Sequence, residues 1–317
     1  MRDPEASGGD GIARPLRALG IYLAVVFFGA AAVAPWLWRA AQWLAREHGM
    51  GAGLAAQPFH RYVHRCLLVL ALALLWPLVR EFRLRTWAEV GWRWDAGERR
   101  RWVAAFLLGL VALGAAAAVA VAGGGRTWSV TGGAGPWIGR VAAAAGTAVV
   151  VSVLEELLFR GAVFGGLRRH GGFAVAATVT SAAYAWVHFF ERPAPPLAID
   201  AWSGFRTLGE MLGGFADPRA LVPGLGSLFV AGWTLAILRE RTGGLAAAMG
   251  LHAGWIFWLR AYGWMTAAVP GADPRWWGSG RLYDGWIAFG LLAGLAIWVH
   301  VRTQPTDHDP KSSRPDN

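Results

Sequence analysis

Eight apolar runs of roughly span length, separated by arginine-bearing breaks, limit what this chain can fold into more than any other feature. A helix needs about 20 mostly apolar residues to cross roughly 30 Å of hydrocarbon. The runs are approximately Ala18 to Trp38, Arg61 to Val79, Trp102 to Gly123, Trp137 to Leu167, Phe173 to Phe190, Leu221 to Leu238, Gly243 to Leu259 and Gly285 to Val301. The second is marginal, with a short clean core and Pro77 inside it, and the fourth is overlong. Charged residues make up 16% of the chain, against about 25% in soluble domains, and the 20 Trp suit the aromatic belts of a membrane protein. The expected fold is all-α, a polytopic membrane helical bundle of about eight transmembrane helices. Cys66 stands alone, which excludes a disulfide framework. The net charge of +10 lies between the apolar runs and not along one polar face, so nucleic acid is set aside as a partner.

Cytoplasmic loops carry an excess of Lys and Arg. With eight spans the N terminus, the even loops and the C terminus share one side, which holds 17 basic residues against 12 on the other. Both termini are therefore expected in the cytoplasm. The strongest vote is the second loop, Arg80 to Arg101, where Trp87, Trp92, Trp94 and Trp102 alternate with arginines as in a segment lying among lipid headgroups. The expected organisation is a cytoplasmic tail over 1–17, a membrane bundle over 18–301 and a disordered cytoplasmic tail over 302–317, polar and proline-containing. Loop five, Glu191 to Ala220, is the longest break and reads as a lid or a connector. No internal repeat is visible.

Ionisable groups at membrane depth cost roughly 2.5 kcal/mol or more each and mark function by default. The fourth run contains Glu155, Glu156 and Arg160. Glu156 and Arg160 are four apart and pair on one helix face, whereas Glu155 points about 100° away with no partner on its own helix. The fifth run ends with Tyr184 and His188, and the midpoint between Glu155 and His188 falls at Gly171-Gly172. Folded there, an antiparallel helix pair places each residue roughly 25 Å from the turn, at one depth. His252 in the seventh run lies roughly 15 Å from its own turn, somewhat shallower. A free carboxylate and two imidazoles in an apolar bundle can hold and deprotonate a water, directly or on a metal. As a metal site, Glu155, His188 and His252 would bind zinc with one position open; as a glutamate-type site, no cofactor is required.

Glu-Glu-x-x-x-Arg in one span, aromatic-x-x-x-His in the next and His-Ala-Gly-Trp in a later one resemble the CPBP family, the CAAX-protease-like and bacteriocin-processing intramembrane proteases of Abi type. The resemblance covers about 137–259. It implies an intramembrane endopeptidase that hydrolyses a peptide bond of a membrane-anchored or membrane-proximal substrate, in a bacterial inner membrane. It also implies Glu155 as general base, Glu156 and Arg160 as its brace, His188 positioning the water, and His252 holding the water or the oxyanion. Two positions depart from the pattern. Tyr184 stands where Phe is usual, and Ile256 stands where Asn or Asp usually follows His252 by four residues. Losing such a donor costs about 10² to 10³ in rate in other hydrolases, and Trp255 offers an indole about 100° round the helix. The alternatives are a non-catalytic immunity or assembly protein on the same scaffold and, less favoured, a transporter, against which stands the absence of a repeat.

Overall fold

The computed structural model describes residues 10–129, 134–191, 193–216, 218–278 and 281–303. In chain order these form α1 (Asp10–His48), α2 (Ala52–Ala55), α3 (Phe59–Ala73), α4 (Leu75–Glu81), α5 (Trp87–Val90), α6 (Ala96–Ala122), β1 (Arg126–Trp128) and α7 (Ala134–Glu156). A π-helical stretch, Leu157–Phe164, continues α7 into α8 (Gly165–His170), followed by α9 (Phe173–His188) and α10 (Ser203–Glu210). A 3-10 turn, Met211–Ala216, leads to α11 (Pro218–Thr242), α12 (Ala246–Met265), β2 (Thr266–Ala268), α13 (Pro274–Trp277) and α14 (Trp286–Arg302). The fold is an all-α polytopic bundle. Each of the eight apolar runs is helical, and five helical stretches are long and apolar enough to cross a membrane alone: Gly11–His48, Phe59–Glu81, Ala96–Ala122, Trp137–His170 and Leu221–Thr242. Of the other three, α9 and α14 are shorter, at 16 and 17 residues. The last, α12, is central: every residue from Ala246 to Ile256 is buried.

Local chemistry explains where the elements stop. The second run breaks at Leu74 between α3 and α4. Pro77 has no N–H to give the carbonyl of Ala73 four residues back, so the ladder is interrupted there. At the other extreme, α1 begins at Asp10, so residues 10–17 are its first turns and not a separate tail. The disordered tail expected over 302–317 lies, beyond Thr303, outside the described residues, as do residues 1–9. Loop five is neither bare nor detached. Its α10 brings Gly204 against the backbone of Ala31 on α1, where a Cβ would collide with the carbonyl, and Met211 is fully buried. It is a packed connector.

The two ends of the bundle are distinct. At one end Arg14 meets Glu81 at 2.6 Å, Arg169 meets Glu89 at 3.0 Å and Arg168 meets Glu240 at 2.9 Å. Arg239 Nη2 also donates to the Glu89 carbonyl at 3.4 Å, and the backbone N–H of Leu245 donates to the carbonyl of Gly91 at 3.0 Å. These contacts gather the start of α1 with loops two, four and six. The Glu89 carboxyl is held down to about 2, first by the backbone N–H of Arg85 and then by the Arg169 guanidinium. At the opposite end β1 and β2 pair antiparallel, Arg126 opposite Ala268, and so tie loop three to loop seven. Arg39 reaches the Ile199 carbonyl there and ties α1 to loop five.

Glycines set the depth of the central helix. A Cβ at Gly254 would stand 2.5 Å from the Phe106 carbonyl oxygen, and one at Gly109 would stand 2.5 Å from that of Leu251. Gly250 faces the Trp102 carbonyl more tightly still. These small residues let the α6 and α12 backbones touch, as in other membrane helix pairs. His252 lies between two of them. Gly254→Val, which must push a backbone aside, is expected to cost about 1–3 kcal/mol; thermal unfolding in detergent at an unchanged midpoint would refute this close approach.

Candidate active site

Three helices converge on one spot. The final residues of α7 supply Glu155 and Glu156, after which the chain widens into the π-helical stretch that carries Arg160. Such π segments occur often at functional sites. Despite the wider turn, Arg160 Nη1 donates to Glu156 Oε1 at 3.0 Å, and both side chains are completely buried. The second amino group of Arg160 donates to the Gly232 carbonyl of α11 at 3.1 Å. Its guanidinium also lies 4.6 Å from the centre of the Tyr184 ring.

The pair is not closed on itself. His252 Nδ1 lies 2.8 Å from Glu156 Oε1, so one carboxylate receives both Arg160 and the imidazole. A carboxylate beside a guanidinium in a dry interior is an acceptor only, so His252 Nδ1 is the donor and its Nε2 faces the other way. That nitrogen is 3.2 Å from the Tyr184 hydroxyl and 3.8 Å from Glu155 Oε2.

His188 completes the constellation from the end of α9. Its Nδ1 lies 2.8 Å from the Tyr184 carbonyl, which can only accept, and its Nε2 faces Glu155 Oε2 at 3.1 Å. The contact is an ion-pair approach, and Glu155 Oε2 makes no hydrogen bond. The site therefore has two halves. The Glu156–Arg160–His252 half is sealed, whereas the side chains of Glu155 and His188 remain 25% and 28% exposed. His188 opens on a cavity of about 610 Å³ that Glu191, Leu259, Arg281 and Tyr283 also line. The cavity thus reaches the site at His188, the partner of Glu155.

All five residues expected from the sequence, Glu155, Glu156, Arg160, His188 and His252, thus meet. The depth match of Glu155 and His188 holds, and His252 reaches them although its turn arithmetic placed it shallower. Three features were not foreseen: the π-helical stretch, the Glu156–His252 bond and the placement of the Tyr184 hydroxyl on His252. The i to i+4 spacing of Tyr184 and His188 was the available signal for the last. Ile256 packs with Ala148 and Ala253 against Val151, Phe257, Trp102 and Phe106, and its own side chain offers no donor. Trp255 belongs to a different cluster, with its ring 6.5 Å from that of His252. It is buried in the core with Leu113, Leu235 and Leu251, and its N–H has no hydrogen-bond partner.

A zinc set requires donors free to converge on one ion. Among the described residues no group of three or more His, Cys, Asp and Glu side chains is disposed to hold a metal. In the Glu155, His188 and His252 trio, the facing atoms are matched to one another and to Tyr184. Glu155, His188 and His252, with their facing atoms 3.1 and 3.8 Å apart, are the residues that would hold a metal.

Residues 136–258 match the family model described as type II CAAX prenyl endopeptidase Rce1-like. This stretch is similar to that family. No curated protein and no solved structure matches the chain. The matched stretch runs from α7 into α12 and contains every residue of the constellation; α1–α6, α13 and α14 lie outside it. With its span-length apolar helices, the protein is an integral membrane protein, and its residues 136–258 are similar to a CAAX-type protease family.

Proposed function

We propose that this protein is an intramembrane endopeptidase in which Glu155 activates water to hydrolyse a peptide bond of a membrane-anchored or membrane-proximal substrate. The observation that carries the reading is the carboxylate of Glu155, a quarter exposed and 3.1 and 3.8 Å from two imidazole nitrogens, one of them on His188, which lines a cavity of about 610 Å³. In the resting site His188 is protonated and Glu155 is the free base. A water held among Glu155, His188 and His252 gives a proton to Glu155 as its oxygen bonds to the peptide carbonyl carbon. His188 then protonates the departing amide nitrogen as the carbon–nitrogen bond breaks, and the proton on Glu155 returns to His188. One water is consumed, and a carboxylic acid and an amine are released.

In this scheme Glu156 and Arg160 do no proton transfer. They fix the tautomer and height of His252, as an outer partner does for a catalytic imidazole. The name of the matching family points to prenylated CAAX peptides as its substrates, and that substrate class is one arm of the test. The protein in liposomes is incubated with membrane peptides, with and without a prenylated C terminus, in H₂¹⁸O containing a strong chelator. The expected result is cleavage with one ¹⁸O in the new carboxyl terminus and a rate unaffected by chelation. A folded protein that cuts nothing overturns the protease reading, and loss of cleavage on chelation overturns the metal-free mechanism.

A further inference from the structure

Attack of water on a peptide carbonyl places negative charge on the carbonyl oxygen, and hydrolases place a preorganised hydrogen-bond donor there. Around Glu155 most donors are committed. His252 Nδ1 is bound to Glu156, and the two amino groups of Arg160 are bound to Glu156 and Gly232 in a fully buried position. His188 faces Glu155, and Ile256 and Trp255 turn into apolar clusters. The Tyr184 hydroxyl differs from all of these. It is 3.2 Å from His252 Nε2, the same nitrogen that lies 3.8 Å from Glu155 Oε2, so hydroxyl and carboxylate flank one atom. A phenol has one donor and spare acceptor capacity. With His252 Nδ1 donating to Glu156, Nε2 accepts from the phenol at rest, and rotation about the one C–O bond lets the same O–H turn to a developing oxyanion, a stronger acceptor than a neutral imidazole.

The ring that carries this hydroxyl is held on three sides. Phe159 meets it edge-on at 5.3 Å, the Arg160 guanidinium lies 4.6 Å from its centre and the His188 ring lies 4.1 Å away. Tyr184 is only 4% exposed. A donor so fixed needs little reorganisation as charge develops. We propose that Tyr184 is a catalytic residue whose hydroxyl donates to the oxyanion, in the role that Ile256 has no group to fill. This rests on the endopeptidase reading above.

Tyr184→Phe removes one oxygen and keeps the ring. Its expected effect is a fall in kcat of about 10² to 10³, with KM and the pH profile of kcat/KM unchanged. A smaller fall, or one accompanied by a moved pH profile, overturns the proposal, because the hydroxyl would then act only by holding His252. A second variant does not depend on how Tyr184→Phe folds. Ile256→Asn in the otherwise wild-type protein adds an amide one turn beyond His252 and is expected to change kcat by less than about threefold, since an oxyanion donor is already present. A larger gain would show that the wild type lacks such a donor, which also overturns the proposal. Wild-type protein that cuts nothing fails the endopeptidase reading instead, so the two failures are distinguishable.

Discussion

Glu155→Gln is expected to abolish peptide hydrolysis while leaving the protein folded. The amide has the shape of the carboxylate but cannot take a proton from water, and general-base catalysis alone is worth about 10² to 10⁴ in rate. Loss of the Glu155–His188 proton pairing also removes the acid that protonates the leaving amine, so the fall should reach at least the upper part of that range. Because Glu155 is a quarter exposed and not sealed in the core, its replacement should move the thermal midpoint little. Initial rates on the cleaved peptide and a melting curve in the same detergent check both statements. A variant that retains a tenth or more of the wild-type rate would remove Glu155 from the mechanism.

Arg160→Met has the opposite profile, a large loss of stability. It leaves the Glu156 carboxylate fully buried, with its guanidinium partner gone and only His252 to share its charge. Breaking a buried pair from one side costs about 3–5 kcal/mol, because an uncompensated charge remains in a dry interior. The Gly232 carbonyl loses its donor as well. Removing both charges together in Glu156→Gln/Arg160→Met is expected to recover part of this loss, since the amide has no net charge to strand. Chemical or thermal unfolding of both variants tests the pair. A single variant as stable as the wild type would mean that Glu156 is not ionised in the folded protein, and the tautomer assigned to His252 would fall with it.

Much of this protein could be read from its residues in order. Helix positions followed from uninterrupted apolar length, since a backbone in hydrocarbon must satisfy its hydrogen bonds within its own segment. The shared depth of Glu155 and His188 followed from counting residues on either side of Gly171-Gly172, since rise per residue is constant and the connecting turn is short. Less was legible where helices depart from regular geometry. The π-helical stretch after Glu156 leaves no mark in the hydropathy, and the boundary at Asp10 lies in residues whose polarity resembles a tail.

The contrast between Glu155 and Glu156 marks the division most sharply. Adjacent carboxylates on one helix necessarily face different directions, and the Arg160 four residues on assigns a partner to one of them; the sequence by itself determines this much, together with a membrane bundle and its polar core residues. Only the tertiary structure decided that Glu156 also takes His252 from 96 residues away, that Ile256 turns into an apolar cluster and that the Tyr184 hydroxyl reaches the His252 nitrogen facing Glu155. Those outcomes depend on how far each helix is rotated about its axis and how closely neighbours approach. The glycines of α6 and α12, acting through packing between segments remote in the chain, set that approach.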